Sequence, residues 1–365
     1  MPIIPSEITA DIPQEFAEDD RYQQMLRWLE HQPALAEKSF RIPSPASADA
    51  SFRRYFRIAD ETDGHSFIVM DAPPQLEDCR PFIKVAQQLK ALGVPVPEIV
   101  AQDLEQGFLL LEDFGDLTYF KALQQADESQ VDALYRRALD TLIQLQSQVD
   151  KNPVGQAALQ SLPWYDESHL TSEMALFIDW LLAEHLALSL SATEKLDWQA
   201  LQRILVDNAQ NQPQTYVLRD YHSRNLMVTE KAPSIGVLDF QDAVQGALTY
   251  DAVSLLRDCY LRWPSEQIEE WQRYYFLGLV QEGVIGKSEW SEFVKAMDLM
   301  GIQRHLKAAG IFARLFHRDG KNGYLKDIPN TLDYLVEVGS RYPQVSALVR
   351  LLENRVLPAW EAYER

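Results

Sequence analysis

Asp220, Asn225 and Asp239 are the residues whose types and spacing best suit chemistry in this chain. They lie in the stretch LRDYHSRNLMVTEKAPSIGVLDFQDA, residues 218–243. Asp220 precedes Asn225 by five residues, and Asp239 follows a short apolar run. The runs 226–228 and 235–238 are apolar and β-type, and the polar residues 229–234, with Pro233, join them as a turn. If the two runs pair antiparallel, Asn225 at the start of the first meets Asp239 at the end of the second, with Asp220 one loop turn away. One amide oxygen and one carboxylate suit Mg2+ held against ATP phosphates, because this ion keeps several waters and takes few protein ligands. The third acid can then orient a substrate hydroxyl and receive its proton. The implied chemistry is phosphoryl transfer.

Elements must exist to bring these groups together, and composition bounds them. At 365 residues the chain exceeds the size at which one core stops growing, so two lobes are expected. Apolar residues make up 46% and charged residues 24%, the balance of an ordinary globular protein. Its apolar runs are interrupted well short of a membrane span, and the acidic N-terminus does not read as a secretory signal. Cys79 and Cys259 are far apart and give neither a disulfide framework nor metal-ligand spacing, so a reducing, cytoplasmic setting is expected. A formal net charge of −20 argues against nucleic acid or an anionic membrane as partner. One stretch departs from this balance. Residues 304–326 carry Arg304, Lys307, Arg314, Arg318, Lys321 and Lys326 against Asp319 alone. A solvated helix face with a cationic end is one reading, and a lip that holds an anionic part of an acceptor is the other.

Periodicity predicts an N-terminal helix over about 10–32, a Ser/Ala-rich turn marked by Pro43 and Pro45, and strands at 51–59 and 67–70. An amphipathic helix at 78–92 and strands at 96–100 and 108–111 complete a β-β-α-β-β order. Beyond residue 118 helical patterns dominate: 131–146, a following helix carrying His185 on its apolar face, 196–208, 252–263, 266–282, 288–316 with breaks, and 345–360. There are no internal repeats. The expected fold class is α+β.

The Asp-x-x-x-x-Asn loop, the strand ending in Asp239 and the run Gly246 to Asp251 resemble the aminoglycoside phosphotransferase and choline kinase group, relatives of protein kinases. The resemblance implies a protein kinase-like two-lobed fold: a small β-rich nucleotide lobe over 1–115, and a larger, mostly helical lobe over 116–365 hinged through residues 112–116. It implies ATP and Mg2+ as cofactors, Asp220 as catalytic base, and Asn225 and Asp239 as metal ligands. Asp251 is expected to cap the helix from Ala252 and to hydrogen-bond the loop. Two positions depart from the group's pattern. Leu218 stands where the group has a loop-supporting His, and Asp239-Phe240-Gln241 lacks the usual Gly.

Other site parts follow from the same likeness. The segment from Ser47 to Arg54 reads as the loop over the phosphates, with Ser47 and Ser51 as hydroxyl donors and no glycine; a tight surface hairpin is its plain alternative. The strand expected to carry an ATP-binding Lys reads FIVMDAP and has none. Arg53, Arg54 and Arg57 are the available cations, and Arg54 is the choice because it lies nearest the loop. The Glu112 carbonyl and the Phe114 N–H are implied as the adenine contacts. His222 and Arg224 face the acceptor or brace the loop. The strings SFRRYFRI, FIVMDAPP, GFLLLEDFGD and LRDYHSRNLM together resemble bacterial anomeric sugar kinases of cell-wall recycling, which implies a small-molecule amino-sugar acceptor phosphorylated at C1. A choline- or aminoglycoside-type kinase and a nucleotide-binding pseudokinase are the alternatives. Oligomeric state is not legible.

Overall fold

Val69, Phe108 and Leu110 pack on one face of an antiparallel sheet, while Met70, Leu109 and Leu111 pack on the other, as the two-residue period of a strand requires. The computed structural model describes residues 16, 18–36, 39–48, 52–62, 64–230, 234–287 and 290–364. Its sheet has five strands, β1 (Ser44–Ala48), β2 (Arg54–Ala59), β3 (Ser66–Asp71), β4 (Ile99–Asp103) and β5 (Phe108–Glu112), in the order β1-β2-β3-β5-β4. Helix α1 (Asp20–Leu29) covers the first face with Tyr22, Met25, Trp28 and Leu29. Its N-cap is Asp19, whose carboxylate accepts the Tyr22 N–H, a bond worth about 1 kcal/mol. Helix α2 (Cys79–Ala91) covers the second face with Phe82, Val85, Ala86 and Leu89, which join the main core.

Two small-sheet expectations need correction. β1 falls where a Pro-marked turn was expected. Pro45 is tolerated there because β1 is an edge strand, and the register slips between Pro45 and Ser47. The strand expected at 96–100 begins at Ile99, because Pro95 and Pro97 have no N–H to give a ladder. The N-terminal helix is described from Asp20, and its expected first residues, 10–15, lie outside the described part.

The remainder is mostly helical: α3 (Tyr119–Leu123), α4 (Glu128–Lys151), α5 (Pro153–Gln160), α6 (Glu167–Leu176) continued by wide turns over Phe177–His185, and α7 (Ala192–Gln210). Two short strand pairs follow, β6 (Gln214–Val217) with β9 (Val244–Ala247), and β7 (Leu226–Met227) with β8 (Gly236–Val237). Then come α8 (Tyr250–Leu256), α9 (Ser265–Gln281), α10 (Trp290–Asp319), α11 (Ile328–Gly339), α12 (Ser346–Leu351) and α13 (Leu357–Tyr363). α10 is one helix of 30 residues rather than a broken one. Its Gly310 does not break it but lets it approach α6, since a Cβ there would sit 2.3 Å from the Leu176 carbonyl carbon. α8 ends seven residues before the expected 263, where the Asp258 carboxylate accepts the Tyr260 N–H and turns the chain. Among the described residues no helix is long and apolar enough to cross a membrane. The architecture is α+β, a small antiparallel sheet joined to a helical body.

Candidate active site

The two runs pair antiparallel as expected but one residue out of the expected register: Leu226 lies opposite Val237, so Asn225 falls opposite Leu238. The Leu238 N–H donates to the Asn225 carbonyl at 2.9 Å, which sets Asn225 beside Asp239. The Asn225 amide donates both to Asp239 Oδ2 and to the Asp220 carbonyl, each at 3.1 Å. Its Oδ1 accepts nothing among the described residues. Gln241, standing in place of the usual Gly, donates to Asp239 Oδ1 at 2.7 Å. Asp239 is exposed and has φ +58°, a left-handed backbone that turns its carboxylate back toward the loop. An amide oxygen beside an exposed carboxylate is a hard-oxygen donor pair, which fits Mg2+.

The loop carrying Asp220 is held from below by two acids seven residues apart. Asp251 accepts the Leu218 and Arg219 N–H groups at 2.7 and 2.9 Å. Asp258 accepts the Ser223 N–H at 3.0 Å and its hydroxyl. The Phe120 N–H donates to the Ser223 carbonyl, and the Tyr221 hydroxyl to the Ala138 carbonyl. Burial pushes the Asp251 carboxyl up to about 7, against the lowering effect of its two N–H bonds. Asp251 lies inside α8 rather than capping it; the helix starts at Tyr250 without a side-chain cap. Leu218, where the resemblance implied a loop-supporting His, is buried and is held through its backbone instead. Burial raises the Asp220 carboxyl, but the charges of Lys307, His222, Arg304 and Arg219 outweigh it and hold the group below its ordinary value.

On the sheet side the three arginines separate. Arg54 faces Asp71 across the β2–β3 ladder at 2.6 Å and also binds Asp19, so two carboxylates hold its guanidinium. Arg53 lies just outside the strand and pairs with Glu77 at 3.4 Å, while the Phe52 N–H donates to the same carboxylate. Glu77 precedes α2, and Phe82 one turn into that helix meets the Phe240 ring at 4.9 Å. Arg53 therefore stands beside the start of α2, the helix that reaches Phe240, the residue after Asp239. Arg57 grips the connector, binding Asp113 at 2.5 Å, the Gly115 carbonyl at 3.0 Å, and Asp116. Asp78 caps α2 by accepting the Arg80 N–H. Ser47, expected in a loop, lies in β1 opposite Tyr55, and Ser51 is outside the described residues. Glu112 closes β5. The Phe114 N–H has no protein partner among the described residues, and its ring covers Gly236, where a Cβ would meet it at 2.3 Å.

A model of the Phosphotransferase enzyme family matches residues 43–290, which include every group described above on the loop and hairpin. The chain belongs to this family. It is 44% identical over 345 residues to an N-acetylmuramate/N-acetylglucosamine kinase of Pseudomonas aeruginosa, covering 93% of this chain and 98% of that one. It is 42% identical over 341 residues to the protein of the same name from Pseudomonas putida, covering 92% and 96%. A solved choline/ethanolamine kinase family protein from Mesorhizobium loti shares the fold at a TM-score of 0.60 and 12% identity, over 91% of this chain and 99% of that one. The α+β architecture is thus the two-lobed kinase-like fold.

Around Asp220, residues that sequence reasoning missed, Glu173 and Tyr260 among them, join those it named. Glu173 on α6 accepts from Arg219 at 2.5 Å, Lys307 at 3.1 Å and the Tyr165 hydroxyl. Burial raises the Glu173 carboxyl, but Lys307 and Arg219 hold it below its ordinary value. His222 is buried, edge-on to Tyr260, with Nδ1 unpartnered, and burial lowers its pKa. Arg224 lies over the Tyr260 ring at 3.5 Å and reaches Asp327 at 3.4 Å. Arg304 and Lys307 are 6% and 8% exposed, so the basic stretch is not simply a solvated face. The sequence did hold one signal for part of this. Asp251 and Asp258, two helical turns apart, fall on one side of a helical register, as do Arg304 and Lys307.

Proposed function

We propose that this chain transfers the γ-phosphoryl group of ATP to the anomeric C1 hydroxyl of N-acetylmuramate and N-acetylglucosamine. The observation that carries the reading is the identity of 44%, extending over 93% of the chain, to a relative named for those two sugars. The clustering of Asp220, Asn225 and Asp239 agrees with it. In this reading the division at 115/116 separates the nucleotide-binding part from the acceptor-binding part. Asp220 accepts a hydrogen bond from the C1 hydroxyl, aims its oxygen at phosphorus and takes the proton as the new P–O bond forms and the bond to the ADP oxygen breaks. An anomeric hydroxyl is more acidic than an ordinary alcohol, so a carboxylate held below its ordinary pKa suffices. Asn225 Oδ1 and Asp239 would hold Mg2+, which neutralises phosphate charge when bound.

The Glu112 carbonyl and the Phe114 N–H serve the adenine. Arg53, positioned by Glu77, takes the place of the absent strand Lys; Arg54 is committed to Asp19 and Asp71. Arg53→Met is expected to raise the KM for ATP about tenfold, the worth of one charge-assisted bond. Arg54→Met is expected instead to lower stability by about 1–2 kcal/mol, because Asp71 is fully buried and, among the described residues, keeps only Arg21 as an ion-pair partner. Steady-state kinetics and thermal melts of the two variants check this; the reverse pattern would return the phosphate role to Arg54.

The test of function is ATP consumption with N-acetylmuramate, N-acetylglucosamine, choline and kanamycin in turn. Turnover is expected with the two sugars, and the product should be labile to mild acid as an anomeric phosphate is. Turnover of choline or kanamycin alone would remove the sugar reading. ATP binding without any turnover would favour a pseudokinase.

A further inference from the structure

Arg304 is a buried cation with no carboxylate in contact with it among the described residues. It is 6% exposed, yet no carboxylate among the described residues lies within ion-pairing distance. Its single hydrogen bond runs from Nη1 to the Cys259 sulfur at 3.7 Å, and its Nε is buried with no acceptor. A thiol is a weak acceptor and does not offset the removal of a guanidinium from water. Asp220, whose carboxylate the charge of Arg304 helps to hold ionised, lies beyond ion-pairing distance, and the other nearby acids are already engaged. Asp251 is taken by Leu218 and Arg219, Asp258 by Ser223 and Tyr260, and Glu173 by Tyr165, Arg219 and Lys307. Lys307, one turn along α10, differs in this respect, since it has Glu173 at 3.1 Å and the Tyr250 hydroxyl at 3.3 Å. Arg304 Nη2 has no protein partner, and unlike Nε it is not sealed from solvent.

A charge kept in this state belongs to a site whose counter-ion arrives with a ligand. Arg304 touches Cys259, the residue after Asp258, whose carboxylate holds Ser223 of the loop, and its charge acts on Asp220 from the helical body. It therefore stands on the acceptor side of Asp220, while Asn225, Asp239 and Arg53 serve the nucleotide side. The two sugars of the proposed reaction differ in one group. N-acetylmuramate carries a lactyl carboxylate on the C3 oxygen, two ring carbons from the reacting C1, and N-acetylglucosamine has a plain hydroxyl there. We propose that Arg304 receives this carboxylate and so sets the preference between the two acceptors, an assignment that rests on the sugar-kinase reading. With a neutral acceptor water stands against the guanidinium instead, which is how one site serves both.

The experiment compares kcat/KM for the two sugars in the wild type, Arg304→Met and Arg304→Lys, together with the carboxamide of N-acetylmuramate. In Arg304→Met the ratio of N-acetylmuramate to N-acetylglucosamine efficiency should fall about 50-fold, mostly through KM, and Arg304→Lys should recover part of it. On the wild type the carboxamide should lose a similar factor, and on Arg304→Met it should lose little more, because the two changes remove one interaction. The thermal midpoint of Arg304→Met should not drop, since no carboxylate among the described residues contacts the removed charge. An unchanged ratio, or an equal loss in kcat for both sugars, would overturn the assignment. An undiminished wild-type efficiency for the carboxamide would overturn it even if the variants failed to fold. Absence of wild-type turnover with either sugar would instead sink the functional reading and this assignment with it.

Discussion

Asp220→Asn should give a folded protein that binds ATP normally and transfers phosphoryl groups about 10³-fold more slowly. The substitution keeps the side-chain volume, and the loop is fixed by backbone bonds to Asp251 and Asp258 that Asn leaves in place. What is lost is the anion proposed to receive the acceptor's proton, at a position where Lys307, His222, Arg304 and Arg219 favour negative charge. KM for ATP should stay within about threefold, because the proposed nucleotide contacts are made by other residues. Release of ADP measured with saturating sugar, alongside calorimetric ATP binding, checks both halves. A kcat within tenfold of wild type would remove Asp220 from the chemistry.

Asp239→Ala should be comparably severe and differ in kind. Its carboxylate is the only formal charge in the proposed metal pair, so kcat should fall by about 10²–10³-fold and the Mg2+ concentration for half-maximal activity should rise. Stability should change little. Asp239 is exposed, and the Asn225 amide keeps its bond to the Asp220 carbonyl. A magnesium titration at fixed ATP distinguishes the two variants, since Asp220→Asn should leave the metal dependence where it was. If Asp239→Ala kept the wild-type magnesium curve, the cation would have to be held elsewhere.

The parts legible in the sequence were local. A spacing of five residues within a loop and an apolar hairpin of fixed register place Asp220, Asn225 and Asp239 together whatever the rest of the chain does, and helices such as α4 and α9 show their own apolar stripe. The illegible parts depend on distant residues. Arg54 looks available until Asp19, 35 positions earlier, and Asp71 reach it across the sheet. Arg304 and Lys307 look like surface charges because their setting is made by residues far along the chain, Glu173 and Tyr250 among them. β1 carries a proline that argues against a strand unless its edge position is known.

Arg57 has a mechanical corollary. It fastens the connector to the sheet through Asp113, Asp116 and the Gly115 carbonyl, while Lys121 on the helical side holds the Asp116 carbonyl at 2.9 Å. The two halves are thus latched, not slackly tethered. The Arg57–Asp116 contact and the Lys121 bond are solvent-facing and so open to screening, whereas Asp113 is nearly enclosed. Raising ionic strength should therefore loosen the outer part of the latch while the inner part keeps its grip.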